Sequence, residues 1–244
     1  MTQAQGGGRK NTSTYDHLFI LRAIITITLK RKQDAFFTFY DVSKAFNNID
    51  NKDMLTIMWE KGLKGKSWRL LWNMNRGLSA EINTQYGKTR KIAMETGRQG
   101  SRVTGRMLSK TMDLLSEDIM EKNEGIPLTN DFTIGALLWM DDVITCVTGE
   151  KNQKKMLQKA NTFAKNHKMK WGQKKCKVMK IGKLTDRKEW NLGEIKITNC
   201  ESYTYLGDII TPDGKNARNI EARSNKIRVC AVSINTIGAS EVVH

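Results

Sequence analysis

Residues 134–147, IGALLWMDDVITCV, decide the fold, because two apolar runs there flank a Met-Asp-Asp triplet. Short apolar runs with β-branched residues are typical of buried strands, so a hairpin is predicted with Asp141 and Asp142 at its tight turn. Adjacent carboxylates in an apolar hairpin repel each other and lose hydration, which is costly unless a cation compensates them. Their oxygen atoms suit Mg²⁺, whereas a polar turn without a metal is the simpler alternative.

A second strand is predicted upstream over residues 36–42, FFTFYDV, and Asp41 falls at its end. Helices are predicted over residues 103–122 and 150–167, and a further strand over residues 177–181. The order strand, helix, hairpin, helix, strand is the split βαβ pattern, an antiparallel sheet backed by two helices on one face. In such a sheet Asp41 would lie close to Asp141 and Asp142, and three aspartates could hold two metal ions about 4 Å apart.

Other elements are predicted from caps, periodicity and turn residues on either side of this unit. They are a helix begun at Ser13 and Thr14, short helices over residues 50–62 and 67–77, a hairpin over residues 80–94 that turns near residues 86–88, strands over residues 194–197 and 203–210, and a helix over residues 219–237. The chain is therefore predicted to be an α+β protein.

The composition is strongly basic, with 41 Lys and Arg against 25 Asp and Glu and a net charge of +16. Such a charge favours nucleic acid as a partner, with an anionic membrane surface or a solvated exterior as alternatives. Residues 165–188 carry ten basic residues against one acidic residue, Asp186, and could follow a phosphate backbone. A hydrophobic content of 39% argues against a disordered chain.

The four cysteines lie 30, 24 and 30 residues apart without a CxxC pair, so their spacing indicates neither a zinc site nor a disulfide framework. No signal peptide and no apolar run long enough to span a bilayer can be recognised in the sequence. We therefore expect an intracellular protein, in cytoplasm or nucleus, that does not enter a membrane.

Five stretches, in family order, resemble the polymerase motifs of reverse transcriptases from non-LTR (LINE-type) retrotransposons. They are YDVSKAF at residues 40–46 for motif A, TGRQGS at 96–101 for motif B, WMDD at 139–142 for motif C, KKCKVM at 174–179 for motif D and YLG at 205–207 for motif E. Upstream, GRK at 8–10 and STYDH at 13–17 are similar to the block that precedes motif A. The resemblance covers nearly the whole chain.

This resemblance implies a right-hand polymerase palm at residues 36–49 and 95–210, partial fingers at 1–35 and 50–94, and the start of a thumb at 211–244. It implies an RNA-directed DNA polymerase that adds deoxynucleotides to a primer on an RNA template, using two Mg²⁺ or Mn²⁺ ions. The residues it implicates are Asp41, Asp141 and Asp142 in catalysis; the same three with Val42 as metal ligands; Lys44, Ala45, Phe46, Gln99 and Lys175 at the nucleotide; and Arg98, Gly100, Tyr205, Leu206 and Gly207 at template and primer.

Taken without the motifs, several of these residues have simpler interpretations. Phe46 fits a hydrophobic core, the Gln99-Gly100 pair fits a turn, and Lys175 fits a solvated lysine-rich face. With the motifs, Phe46 is expected beneath the sugar of the nucleotide, Gln99 and Gly100 near the nascent base pair, and Lys175 near the triphosphate.

The sequence also departs from the family pattern. A glycine at position 7 or 8 replaces an aromatic residue, and RVTG at 102–105 replaces an apolar Ser-Pro stretch. The basic fingers block is expected upstream of residue 1, and the thumb is expected to comprise only its first helix. A catalytically inactive or truncated nucleic-acid-binding protein on the same scaffold is therefore the alternative function. A generic basic α/β domain would leave the five ordered motifs to coincidence.

Overall fold

The computed structural model describes residues 2–43, 50–93, 102–121, 124–182 and 188–240. Its elements, in chain order, are α1 Thr14–Lys30, β1 Ala35–Tyr40, α2 Asn51–Glu60, α3 Gly65–Asn75, β2 Ser79–Ala80, β3 Asn83–Thr84, β4 Gly87–Lys88, β5 Ile92–Ala93, α4 Arg102–Glu121, β6 Ile126–Pro127, β7 Thr133–Ile134, β8 Ala136–Trp139, β9 Asp142–Thr148, α5 Glu150–Asn166, β10 Lys177–Lys180, β11 Glu189–Leu192, β12 Ile195–Asn199, β13 Tyr203–Tyr205, β14 Asp208–Ile210 and α6 Ala217–Ser240.

The central sheet has six strands in the order β11-β12-β10-β1-β9-β8. Strand β1 pairs antiparallel with both β10 and β9, β8 pairs antiparallel with β9, and only the β10–β12 pair within this sheet is parallel. The predicted α+β fold, with strand, helix, hairpin, helix and strand in that order, is confirmed. It places the end of β1 beside the start of β9.

Both faces of the sheet are covered, which explains why all six residues of β1 are buried. Phe36 and Tyr40 point into a core shared with α4 and α5, the two helices predicted to back one face. Phe37 and Phe39 alternate with them and pack in a second core that includes residues of α1 and of β13 and β14. The aromatic run of β1 is thus divided between two cores, and the strand is held rigidly at the centre of the molecule.

Local signals define the first two helices well. Ser13 caps α1 in a reciprocal capping box with Asp16, and the Asp50 carboxylate accepts a hydrogen bond from Lys52 N at the start of α2. The predicted second short helix begins earlier than expected, at Gly65, and buries none of its residues. The hairpin predicted for residues 80–94 is observed over residues 79–93 as two short ladders, β2 with β5 and β3 with β4.

Two features near the C-terminal end differ from prediction. The predicted strand over residues 203–210 is a hairpin, because Leu206 and Gly207 adopt φ angles of 48° and 83° and reverse the chain between β13 and β14. Strand β11 was not predicted and pairs with β12 at the edge of the central sheet. In the described parts of the chain no helix is long and apolar enough to cross a membrane.

Asp208 in β14 forms ion pairs with α1 and α6, and its replacement tests how α6 is attached to the rest of the protein. Its two carboxylate oxygens accept hydrogen bonds of 2.7 Å from Arg22 on α1 and Arg223 on α6. We expect Asp208→Ala to lower the free energy of unfolding by about 1–2 kcal/mol, because the carboxylate is buried but Arg223 is largely exposed.

Thermal unfolding measures this change, and limited proteolysis within α6 should become faster. The control is Glu221→Gln, an exposed carboxylate on the same helix, which should leave both readouts unchanged. Equal stability of Asp208→Ala and the wild type would show that α6 is held by other contacts.

Candidate active site

The hairpin of β8 and β9 carries two aspartates at the point where the chain reverses between the strands. Trp139 pairs with Asp142, so Met140 and Asp141 form a two-residue loop. Met140 has a φ of 58°, a left-handed conformation that residues with a side chain seldom adopt. The hairpin predicted from the sequence is confirmed, and its turn has an unusual backbone conformation directly before the two carboxylates.

The backbone around Asp41 is fixed by residues 170–172, which run beside the end of β1. Gly172 N donates to Asp41 O at 2.8 Å, and Ser43 N donates to Lys170 O at 2.8 Å. Asp41 N donates to the sulfur of Cys176 at 3.3 Å. Val42 is almost fully buried and forms an antiparallel bridge with Trp171. The carboxylate of Asp41 therefore projects from a rigid backbone.

The register of β1 and β9 brings Asp41 toward the hairpin aspartates. Tyr40 lies opposite Val143, so the residues that follow and precede them, Asp41 and Asp142, come together at the same end of the two strands. Burial raises the pKa of Asp142 to about 6, and the charges of Asp141 and Asp41 add to this rise. Burial also raises the pKa of Asp141, with a further contribution from Asp41. The three carboxylates therefore share one electrostatic environment.

Lys175 provides a positive charge beside this group. Its Nζ lies 2.9 Å from Asp41 Oδ1, and the hydrogen bond to Asp41 raises the pKa of the lysine. The positive charge also lowers the pKa of both Asp141 and Asp142, against the larger effect of burial. Because the Lys175 side chain is 71% exposed, this ion pair contributes little to stability and can be exchanged readily.

The donor chemistry of the site is that of a hard cation. Three neighbouring carboxylates, Asp41, Asp141 and Asp142, offer oxygen ligands of the kind that Mg²⁺ and Mn²⁺ prefer. In the described residues, however, no group of three or more His, Cys, Asp or Glu side chains lies close enough to hold a metal ion. The Asp41 carboxylate is instead directed to Lys175, so binding an ion between all three aspartates would require side-chain rearrangement.

The β13–β14 hairpin borders the site on the face of the sheet that Phe39 faces. Tyr203 stacks on Phe39 with ring centroids 4.0 Å apart, and burial followed by the charge of Asp41 raises the pKa of its hydroxyl. The Tyr205 ring is buried, and its hydroxyl lies 3.1 Å from Nε2 of His17. Leu206 and Gly207 form the turn at the tip of this hairpin.

Several predicted site residues lie outside the described part of the chain. These are Lys44, Ala45 and Phe46 after the first strand, and Arg98, Gln99 and Gly100 before α4. Their assignments stay predictions.

Sequence reasoning missed residues that support the aspartates from a distance. His17 packs edge-on against Trp139 at 5.8 Å, and burial lowers its pKa to about 4, so it is neutral at pH 7. Gly172 approaches the Asp41 carboxylate, since a Cβ built there would lie 2.8 Å from Oδ2. Gln5 is fully buried against the hairpin turn. Gly172 and Gln5 have only a generic signal in the sequence, a glycine or a polar residue in an irregular segment, whereas His17 belongs to the STYDH stretch at residues 13–17.

The mostly antiparallel central sheet thus carries one aspartate directly after β1 and two at the adjacent β8–β9 hairpin. A sequence model of the family "Reverse transcriptase (RNA-dependent DNA polymerase)" matches residues 1–210, and the chain belongs to this family. The predicted reverse transcriptase family, and with it the fold of an RNA-directed DNA polymerase, is confirmed at this level. No curated protein sequence matches the chain significantly.

Solved structures agree on the fold. The telomerase of Candida tropicalis in complex with a TWJ fragment of telomeric RNA is similar with a TM-score of 0.58 and 12% identity, over 88% of this chain and 34% of that one. The corresponding complex from Candida albicans has a TM-score of 0.56 and 7% identity, over 87% and 35%. Apo telomerase from Candida tropicalis has a TM-score of 0.59 and 10% identity, over 88% and 37%. The chain thus spans about a third of these telomerases.

Proposed function

We propose that this chain carries out RNA-directed DNA synthesis with Asp41, Asp141 and Asp142 as the ligands of two divalent metal ions. The observation that carries the proposal is the β1–β9 register, which brings together carboxylates 100 residues apart in the sequence beside Lys175. Buried like charges with only a structural role would destabilise the fold without any functional benefit. A catalytic cluster accounts for that cost, because a cation then occupies the site during the reaction.

Bound Mg²⁺ or Mn²⁺ would lower the pKa of the primer 3′-hydroxyl and balance the charge of the leaving pyrophosphate. The pKa values of Asp141 and Asp142 are raised, mainly by burial, and a bound cation would lower both by favouring the charged carboxylates. Lys175 would leave Asp41 and turn to the triphosphate, as its exposure permits. The protein's main contribution is then to position the reacting groups.

The remaining assignments follow the motif resemblance. Val42 would add a backbone ligand; Lys44, Ala45, Phe46 and Gln99 would line the nucleotide; and Arg98, Gly100 and the turn at Leu206 and Gly207 would contact template and primer. Tyr205 would act there by shaping the hairpin, since its ring is buried. We further propose a non-LTR, LINE-type origin, with fingers at residues 1–35 and 50–94, palm at 36–49 and 95–210, and thumb from 211.

The proposed partners are an RNA template, a DNA primer and deoxynucleotides. The complexes of Candida telomerases with telomeric RNA support an RNA partner for this fold. The net charge of +16 supports polyanion binding. An endonuclease domain and further fingers and thumb segments are proposed as additional partners.

The test is primer extension on a poly(rA)/oligo(dT) substrate with Mg²⁺ or Mn²⁺. We expect extension by the wild type that requires a divalent ion, and none by the variant Asp141→Asn with Asp142→Asn, although the variant should bind the substrate at least as tightly. Asp131→Asn, which removes an exposed carboxylate from a loop, is the matched control and should extend normally. Extension that survives in the double variant would overturn the metal assignment.

The alternative is a nucleic-acid-binding protein without catalysis. The ion pair between Asp41 and Lys175 favours this alternative, because it directs the Asp41 carboxylate to a lysine and away from a position shared with Asp141 and Asp142. In the described residues these carboxylates do not form a group close enough to hold a metal ion. Substrate binding without extension, in both the wild type and the double variant and with either metal ion, would support this second function.

A further inference from the structure

The segment before α1 lies along the free edge of β8, next to the hairpin that carries Asp141 and Asp142. Leu138 N donates to Ala4 O at 2.9 Å, and Gly6 N donates to Leu138 O at 2.8 Å. Gln5 therefore stands opposite Leu138 in a parallel bridge. These contacts extend the central sheet by a short stretch and bring the Gln5 side chain to the hairpin turn.

The Gln5 side chain is fully buried and binds the backbone of Met140. Its Oε1 accepts hydrogen bonds from Met140 N at 3.0 Å and from Gly7 N at 2.9 Å. Its Nε2 donates longer hydrogen bonds to Met140 O at 3.5 Å and to Ser109 O at 3.4 Å. A primary amide has both a donor and an acceptor, so one side chain contacts both polar backbone groups of a single turn residue.

The backbone approaches the same turn too closely for larger residues. A Cβ at Gly7 would lie 2.5 Å from Met140 N, and a Cβ at Gly6 would lie 2.9 Å from the Trp139 ring. The segment is also anchored on α4 at a separate point, where the Asp113 carboxylate accepts hydrogen bonds from Thr2 N at 3.0 and 2.9 Å. Replacing Gln5 alone should therefore leave the path of this segment in place.

Met140 needs such support, because its φ of 58° is unfavourable for a residue with a side chain. The two residues that follow it are Asp141 and Asp142, so the conformation of Met140 sets the direction of both carboxylates. We propose that Gln5 is a positioning residue that holds Met140 in this conformation and thereby aligns Asp141 and Asp142 for catalysis. The proposal rests on the function proposed above for these aspartates.

The experiment compares Gln5→Met with Gln153→Met. Gln153 is equally buried and donates from Nε2 to Thr38 Oγ1 at 2.6 Å, but it lies on α5, away from the hairpin turn. Each replacement removes an amide and keeps an unbranched side chain of similar length. The readouts are hydrogen–deuterium exchange of residues 139–142, kcat and KM in primer extension, and thermal unfolding.

We expect Gln5→Met to accelerate exchange at residues 139–142 about tenfold or more and to lower kcat by a similar factor, with little change in KM for the primer–template. Gln153→Met should lower thermal stability without altering exchange at the turn, and its kcat should stay within about twofold of the wild type. Unchanged exchange at the turn in Gln5→Met, or an equal loss of kcat in both variants, would overturn the proposal.

A second background tests the role of the Met140 conformation itself. Asparagine tolerates positive φ better than methionine, so in Met140→Asn the added replacement Gln5→Met should cost less in exchange protection and in kcat. An equal cost in both backgrounds would contradict the proposal. If Gln5→Met folds poorly, Gln5→Asn, whose amide is one methylene too short to reach the turn, is judged by the same criteria.

These readouts separate the two proposals. A wild type that shows no extension with either metal ion would refute the proposed function, while exchange at residues 139–142 would still show whether Gln5 holds Met140. An active wild type whose Gln5→Met variant has normal kcat and normal exchange would refute only the inference about Gln5.

Discussion

Asp142→Asn is expected to abolish primer extension and, in buffer without divalent ions, to make the protein more stable. On activity, loss of a proposed metal ligand should lower kcat on the order of a thousandfold. On stability, the replacement removes a half-buried charge that is repelled by Asp141 and Asp41. Activity and stability should therefore change in opposite directions, as expected when a charged site is maintained for catalysis.

The sign of this stability change follows from the pKa of Asp142, which is about 6 in the folded protein against an ordinary value of 3.8. The folded state binds this proton more tightly than the unfolded state, so the contribution of Asp142 to stability falls as pH rises between about 4 and 6. Above pH 6 the full penalty is present. Because the side chain is partly exposed, we discount the shift and expect a gain of about 1 kcal/mol in the variant at pH 8.

Thermal unfolding in EDTA at pH 4 and pH 8 measures this effect. The variant should be more stable than the wild type at pH 8, and most of this difference should be lost at pH 4, where Asp142 is protonated in the folded protein and the charge repulsion is absent. Asp131→Asn, the exposed control, should show no such difference between the two pH values. A variant less stable than the wild type at pH 8 would indicate that the carboxylate has a stabilising partner.

Gly172→Ala is expected to lower primer extension at least tenfold with little loss of stability. The added Cβ would lie 2.8 Å from Asp41 Oδ2, which is too close, so the carboxylate must move. It is the end of a side chain and can rotate, so the fold should tolerate the change. Moving a catalytic group by about 1 Å can still cost on the order of a hundredfold in rate.

The matched control is Gly105→Ala, because a Cβ at this position of α4 would have no heavy atom within 4 Å. There the replacement should leave extension unchanged and raise the free energy of unfolding by about 0.5–1 kcal/mol, as alanine favours a helix. Initial extension rates and thermal unfolding of both variants decide the outcome. Normal activity in Gly172→Ala would show that the position of the Asp41 carboxylate is not critical.

The sequence by itself determined the succession of elements around the palm. An alternation of aromatic residues, FFTFY, predicted β1, and the two apolar runs around Met-Asp-Asp predicted the β8–β9 hairpin. Caps at Ser13 and Asp50 placed two helix starts within a residue. These features depend on neighbours within about four residues, so they can be recognised without tertiary information.

The motif order carried the assignment further. Five stretches that follow one another in the order typical of the family predicted a reverse transcriptase, and the family match over residues 1–210 confirms that prediction. The subtype and the roles of individual residues are finer statements that the fold alone does not decide, since one fold supports different activities.

Only the tertiary structure decided which distant residues contact the aspartates. Lys175 reaches Asp41 across 134 positions, and Gln5 reaches Met140 across 135 positions. Neither contact has a local pattern, since a lysine in a basic run or a glutamine beside glycines also fits a solvated surface. The turn at Leu206 and Gly207 likewise became visible only in the fold. Such contacts arise when packing brings separate segments together, and no periodicity in either segment encodes the partner.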